Sequence, residues 1–305
     1  MSGEAGEGMA PINKLVICGV GVIGGSFARA LRAAKAVRHI VGIGRSEQTL
    51  RHALDLGVID EATHSWESAL SGADFVLLAC PVGQMDNNLQ AMTPFLEPQT
   101  IVSDVGSTKS NIIEAIYRRI NHHLALAVPA HPIAGTEKSG VGVSTPELFH
   151  GKKVVVTPLP ENEPAAVMRV CEVWQACGAI VHEMPPQDHD RVFAAVSHLP
   201  HLLAYALVHD LSQRANAEQL FSFAASGFRD FTRIAGSDPE MWRDICLANR
   251  QAVLGELDQY LAELAYLRAL LLSADGERLY QHFAESRDIK NLWIQQHGQI
   301  TRETP

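Results

Sequence analysis

The sequence predicts an α/β protein: a doubly wound, Rossmann-type sheet domain followed by an all-helical domain. Three observations carry that reading. From residue 14 to about 160, short apolar runs alternate with helical patterns, and their nearly unbroken apolar character suits strands buried on both faces of a parallel sheet. A glycine-rich turn joins the first run to the first helical pattern. Beyond Pro185-Pro186 the strand signals stop and apolar residues recur at helical spacing. A chain of 305 residues with 47% hydrophobic content can form two cores without disulfides or a structural metal.

The expected strands are Lys14–Cys18, His39–Ile43, Asp74–Ala79, Thr100–Asp104, Leu124–Val128 and Lys153–Thr157, with helices over Ser26–Ala34, Gln48–Asp55 and Lys109–Ile120 between them. In the second half, Val192, Val196, Leu199, Leu203 and Leu207 mark a helix within Asp188–Arg214, disturbed near Pro200, which lacks an N–H. Ser237-Asp-Pro-Glu240 reads as a capped helix start. The helix it opens carries Leu254, Leu257, Leu261, Leu264, Leu267 and Leu271 and ends at Asp275-Gly276. That leucine stripe is a packing seam, within the domain or between subunits. The expected division is a disordered tail over 1–12, the dinucleotide-binding domain over 13–185 and the helical domain over 186–299.

Charge and cysteine usage narrow the function classes. Lys and Arg number 25 against 34 Asp and Glu, a net charge of −9. This balance argues against a nucleic-acid partner, which needs a clustered basic surface. Small anionic substrates remain open, since a local cationic pocket can hold them. The first residues have neither a basic segment nor an apolar one, so no signal peptide is expected. No stretch approaches the roughly 18 uncharged apolar residues of a membrane span. Five dispersed cysteines (Cys18, Cys80, Cys171, Cys177, Cys246) fit reduced thiols in the cytoplasm.

The first strand runs into Gly19-Val-Gly21-Val22-Ile23-Gly24 and then a helix. Gly19 permits the tight turn, Gly21 lets the backbone approach a pyrophosphate, and Gly24 allows close helix–strand packing. Helix N-terminal amides then face the anion. Where an NAD-binding chain places a carboxylate at the end of the second strand, about 20 residues on, this one has Gly44-Arg45-Ser46. An arginine and a hydroxyl there suit a 2′-phosphate, so NADP is the preferred cofactor, with NAD possible.

Two loops at expected strand ends carry chemistry: Asp104-Val-Gly-Ser107-Thr-Lys109 and Ala130-His131-Pro132 through Gly140. In open α/β sheets the ligand lies beyond the carboxyl ends of the strands, which makes His131 a candidate general base. Ser197 and His201 are four apart and share a helix face. His198-x-x-His201 lacks carboxylate or Cys ligands at a recognised spacing, so no metal is expected. Arg229 and Arg233, four apart among aromatic residues, are read as partly buried and suited to a bidentate carboxylate; pairing with Asp230 or Asp244 is the alternative.

The segments GVGVIGGS, DVGSTK, HPIAGTEKSG, SHLPH and GFRDFTRIAGSDPEMWRDI, in this order, resemble the prephenate/arogenate (cyclohexadienyl) dehydrogenase family of tyrosine biosynthesis over roughly residues 14 to 295. The resemblance implies hydride transfer to NAD(P) with loss of the ring carboxylate as carbon dioxide. It makes His131 the base at the ring C4 hydroxyl, with Ser107 bonding that hydroxyl or holding the nicotinamide. Ser197 and His201 line the substrate site, Arg233 clamps the ring carboxylate, Arg229 approaches the substrate side chain and Glu137 guards the mouth. It also implies a homodimer through the helical domain. No attached mutase or regulatory domain is expected. The rival readings are a β-hydroxyacid or 6-phosphogluconate-type dehydrogenase and a non-catalytic dinucleotide sensor.

Overall fold

The computed structural model describes residues 9–135 and 138–297. The chain begins β1 (Ile12–Cys18), α1 (Val22–Ala33), β2 (Val37–Ile43), α2 (Glu47–Asp55), β3 (Glu61–Thr63), α3 (Trp66–Leu70), β4 (Phe75–Leu78), α4 (Val82–Met92), β5 (Ile101–Asp104) and α5 (Ser110–Arg119). These strands form one sheet in the order β3-β2-β1-β4-β5, every pairing parallel. Strand alternation divides its side chains between two cores. Leu15 and Ile17 of β1 pack with Phe27 and Leu31 of α1 on one face. Val16 and Cys18 pack with Met85 and Leu89 of α4 and Ile112 and Ile116 of α5 on the other. The strand order reverses between β1 and β4, which opens a crevice at their carboxyl ends.

The chain then leaves this sheet. β6 (Ala130–Pro132), β7 (Lys153–Val156), α6 (Pro164–Ala176) and β8 (Ile180–Glu183) build a separate sheet, ordered β6-β7-β8. β6 runs antiparallel to β7 and places His131 opposite Val155. The segment read as the strand Leu124–Val128 is instead a 3-10 turn over Asn121–Leu126, with one bridge between Val102 and Ala127. The Asn162 amide occupies the Leu124 carbonyl at 2.6 Å and the Ala127 carbonyl at 2.9 Å, groups a longer ladder would need. The strands β3 and β8 escaped the sequence reading because both are short and carry polar residues.

The helical part comprises α7 (Pro186–Phe193), a π-helical turn (Ala194–His198), α8 (Leu199–Ser212), α9 (Ala217–Ser222), α10 (Ser226–Thr232), α11 (Pro239–Ala248), α12 (Arg250–Leu272) and α13 (Gly276–His297). Pro200 cannot donate to the Val196 carbonyl, and the helix widens just before it: Leu199 N–H reaches back five residues to the Ala194 carbonyl. Pro186–Ser212 thus makes 27 continuous helical residues with an apolar window of mean hydropathy 1.4, longer and more apolar than the sequence reading allowed. The run contains the buried His189, Asp190 and His198, and 28% of its apolar window is buried. The helix expected to run from Pro239 to Asp275 is broken at Asn249 into α11 and α12.

Compactness divides the chain into Met1–Arg250 and Gln251–Pro305; α7 packs on α5 and α11 packs on α4, so the sheet and most helices share one unit. Met9 packs against the first core, which trims the expected tail; residues 1–8 lie outside the described residues. In the second unit Leu270 is buried, whereas Leu254, Leu261, Leu264 and Leu271 of the leucine stripe are exposed.

Candidate active site

The glycine turn has the shape a dinucleotide requires. Gly19 has φ +97°, and a Cβ there would lie 2.5 Å from the Ala79 carbonyl oxygen. A Cβ on Gly24 would lie 2.3 Å from the Gly19 oxygen, so β1, the turn and α1 can close only with glycine at both positions. Gly21 is different: a Cβ there meets nothing within 4 Å. The open side of this turn faces the amino end of α1, where Val22 and Ile23 supply the first helical amides. Anion and backbone can therefore meet closely.

Past β2, Arg45 and Ser46 are exposed. The Ser46 hydroxyl caps α2 by accepting from Thr49 N–H at 3.2 Å, which leaves its own O–H to donate. No carboxylate stands at Gly44. Glu47, three residues on, is held by His64 Nε2 at 2.9 Å, and His64 Nδ1 lies 2.7 Å from the Gly44 carbonyl.

The chemistry sits where the two sheets meet. Asp104 ends β5, and its carboxylate accepts from Gly106 N–H at 2.7 Å and Ala130 N–H at 3.1 Å. The wholly buried Lys109 ammonium pairs with the same carboxylate and donates to the Ala130 carbonyl at 2.6 Å. This ion pair ties the Ser107 loop to the residue immediately before His131. Burial draws the Lys109 ammonium below its ordinary value, against the pull of Asp104.

His131 projects from β6 and is buried, with Phe193 packed at 5.0 Å between ring centres. Its Nδ1 lies 2.9 Å from His189 Nε2, and His189 Nδ1 lies 2.9 Å from Asp190 Oδ1. The Asp190 carboxylate also accepts the main-chain N–H of Lys109 and of Ser110, each at 2.8 Å. Asn249, at the break between α11 and α12, completes the network: its amide donates to the Asp190 carbonyl at 2.7 Å and lies 3.1 Å from His198 Nδ1. The helix break thus turns a side chain into the site. His201 stacks on Trp242 at 3.5 Å and 18°, and its Nδ1 lies 2.9 Å from the Ser197 carbonyl.

Electrostatics leave the imidazoles neutral. Burial, then repulsion that a second proton would meet from His189 and from the Lys109 ammonium, push His131 well below the usual imidazole range. Burial also lowers His189 despite Asp190, lowers His201, and brings His198 to about 4. Asp190 is desolvated by burial, yet His189 and the N–H groups of Ser110 and Lys109 bring it down to about 2. A neutral His131 keeps a ring lone pair available at neutral pH, and the burial that keeps it neutral also weakens it as a base.

The same shifts predict an acid transition. Unfolded histidines titrate near 6.5, so between pH 6.5 and the lowered folded values the unfolded chain binds protons that the folded chain refuses. Stability is whole above pH 6.5 and is lost as pH falls toward 4, with His198 alone contributing on the order of 3 kcal/mol. Melting curves at about pH 7.5 and about pH 4.5 should show the lower midpoint at the acid value. Coincident curves would contradict the burial of these rings.

His131 stands on β6, Ser107 follows β5, Ser197 lies in the π-helical turn and His201 on α8. Arg229 and Arg233, read as partly buried, are exposed; Arg229 is 3.5 Å from Asp230. Both sit on or just after α10, which buries no residue. Glu137 lies outside the described residues. The sequence reading missed His189, Asp190, Asn249 and Trp242, and quoted Lys109 and His198 without giving them roles. The one legible signal was an acid beside a histidine, Asp188-His189-Asp190, directly after the proline pair that starts α7.

Two family models match the chain: the nucleotide-binding domain of prephenate dehydrogenase over residues 27–183, and the dimerization domain of prephenate dehydrogenase over residues 185–285. The cyclohexadienyl dehydrogenase of Zymomonas mobilis is 35% identical, the match covering 92% of this chain and 95% of that protein. The prephenate dehydrogenase of A. aeolicus, solved in complex with hydroxyphenyl propionate and NAD+, is 38% identical with a TM-score of 0.87, over 93% of this chain and 98% of the other. The arogenate dehydrogenase of Synechocystis is 27% identical with a TM-score of 0.77, over 92% and 99%.

Proposed function

The chain belongs to the prephenate dehydrogenase family, and from that membership we propose an oxidative decarboxylation of prephenate or arogenate, run by a cytoplasmic homodimer that prefers NADP and also uses NAD. The observation that carries the reaction is a buried, neutral His131 at the junction of the two sheets, with Nδ1 engaged and Nε2 left for substrate. Neither rival reading accounts for a base so placed.

The Gly19–Gly24 turn fits a dinucleotide, since Gly21 is open where a Cβ would obstruct the pyrophosphate. When bound, the dinucleotide would supply the acceptor for the hydride of the ring C4. His131 accepts the C4 hydroxyl proton at Nε2 as the hydride leaves; the ring carboxylate departs as carbon dioxide, its bonding pair enters the ring, and the phenolate oxygen so formed recovers the proton from His131. Aromatisation drives the step, so orientation and proton acceptance are what the protein contributes. Ser107, Ser197 and His201 line the ring. Arg233 meets the ring carboxylate and Arg229 the side chain.

The homodimer reading draws on the dimerization-domain match and on the apolar side chains exposed on α12 and α13, among them Leu271, Tyr280, Phe283 and Ile289. The five free thiols suit a reducing cytoplasm.

Cofactor choice rests on Arg45 and on the missing carboxylate at Gly44. Space is available there, because a Cβ on Gly44 meets only Leu50, at 3.7 Å. Initial rates of reduced-nicotinamide formation, with prephenate and with arogenate and each cofactor, test the proposal. Arg45→Ala should raise the NADP KM about tenfold. Gly44→Asp should turn the kcat/KM ratio toward NAD by a similar factor. An unchanged NADP KM in Arg45→Ala would remove Arg45 from 2′-phosphate recognition.

A further inference from the structure

Building on His131 as the base, we propose that His189 and Asp190 are its positioning residues: a directed hydrogen-bond chain that fixes which nitrogen of His131 carries the proton and supports the charge it takes up. Direction follows from counting donors. Both Asp190 oxygens already accept main-chain N–H groups, from Lys109 and Ser110, so the carboxylate meets His189 as an acceptor. His189 Nδ1 must therefore donate to Asp190 Oδ1 across 2.9 Å. A neutral ring has one N–H, so His189 Nε2 is left as an acceptor. His131 Nδ1, 2.9 Å away, then carries the proton and donates it. The lone pair of His131 is thereby confined to Nε2, the nitrogen that meets the substrate hydroxyl.

The groups facing this chain support that polarity. Asp190 is ionised across the working range. Lys109 opposes protonation of both rings, and its charge is balanced by Asp104. When Nε2 takes the hydroxyl proton, His131 becomes an imidazolium whose Nδ1–H stays on the ring, bonded to His189. No proton need reach Asp190; its negative charge acts through the polarised His189 ring. The chain spans two parts of the fold, since Asp190 is seated on the amides that open α5 and His131 stands on β6. Docking of α7 thus sets the tautomer of a residue distant in sequence.

The test separates tautomer control from simple support. In Asp190→Asn the amide presents N–H to His189 as one of its faces, and His189 then donates from Nε2, leaving His131 protonated at Nε2. Turnover should fall by about 10²–10⁴, with substrate KM and cofactor binding within a few-fold of the parent. His189→Gln keeps a carbonyl able to accept from His131 Nδ1–H and should retain turnover within about tenfold. His189→Leu, with no acceptor, should lose as much as Asp190→Asn. Parental turnover in Asp190→Asn, or equal losses in His189→Gln and His189→Leu, would overturn the proposal. So would losses of turnover, cofactor binding and melting temperature in parallel, which mark a structural role only. His131→Asn, measured beside them, tells the two readings apart. Parental turnover there removes the base itself, whereas loss there with a parental Asp190→Asn removes only the positioning chain.

Discussion

Replacing His131 by asparagine should lower turnover by about 10²–10⁴ while leaving dinucleotide binding close to parental. Asparagine keeps an amide near the position of Nδ1, so the contact toward His189 at 2.9 Å has a replacement. Nothing replaces the Nε2 lone pair. The dinucleotide turn is built by β1, α1 and the chain after β4, all from other parts of the first unit, so cofactor affinity has no reason to fall. Initial rates together with quenching of protein fluorescence by bound cofactor measure both quantities. Near-parental turnover would remove His131 from proton transfer.

The second large effect is on stability. Lys109→Met leaves the buried Asp104 carboxylate with only the Gly106 and Ala130 N–H groups and strips the Ala130 carbonyl of its donor. Breaking a buried pair from one side costs about 3–5 kcal/mol, because the remaining charge is uncompensated. A drop in melting temperature on the order of 10 °C is expected. Adding Asp104→Asn should cost less than the two single losses summed, since the second change removes the stranded charge. Additive losses would show that the two groups are not energetically coupled. Residual turnover in Lys109→Met should also fall, because the same ammonium holds the main chain one residue before His131.

Much of the fold was legible because the five-stranded sheet obeys simple periodicity. Runs such as Leu15–Cys18 are apolar on both faces, and both faces are covered. The dinucleotide turn was legible for a steric reason: Gly19 and Gly24 are places where no Cβ fits. His131 was legible from its place at a strand end, although its strand belongs to a second, antiparallel pairing that nothing local announces. The Leu124–Val128 error has the same origin. Its apolar pattern suits a strand, and a single distant asparagine, Asn162, takes the carbonyls instead.

What stayed hidden was created by tertiary docking. Asp188-His189-Asp190 reads as a polar helix start exposed to water, and only the seating of Asp190 on the α5 amides makes it a buried anion. Lys109 reads as a loop cation, yet it is wholly enclosed. The break at Asn249 carries no proline or glycine to mark it; its signal is the pair of hydrogen bonds it makes inward. For Arg229 and Arg233 the aromatic neighbours suggest burial, and both are exposed.

If oxidation at C4 and loss of the ring carboxylate are coupled through His131, carbon dioxide release and reduced-nicotinamide formation, measured in the same reaction with prephenate and with arogenate, should appear in a one-to-one ratio with at least one of these substrates. Both should be suppressed together in His131→Asn. Absence of nicotinamide reduction with either substrate, or reduction without carbon dioxide, would contradict that coupling.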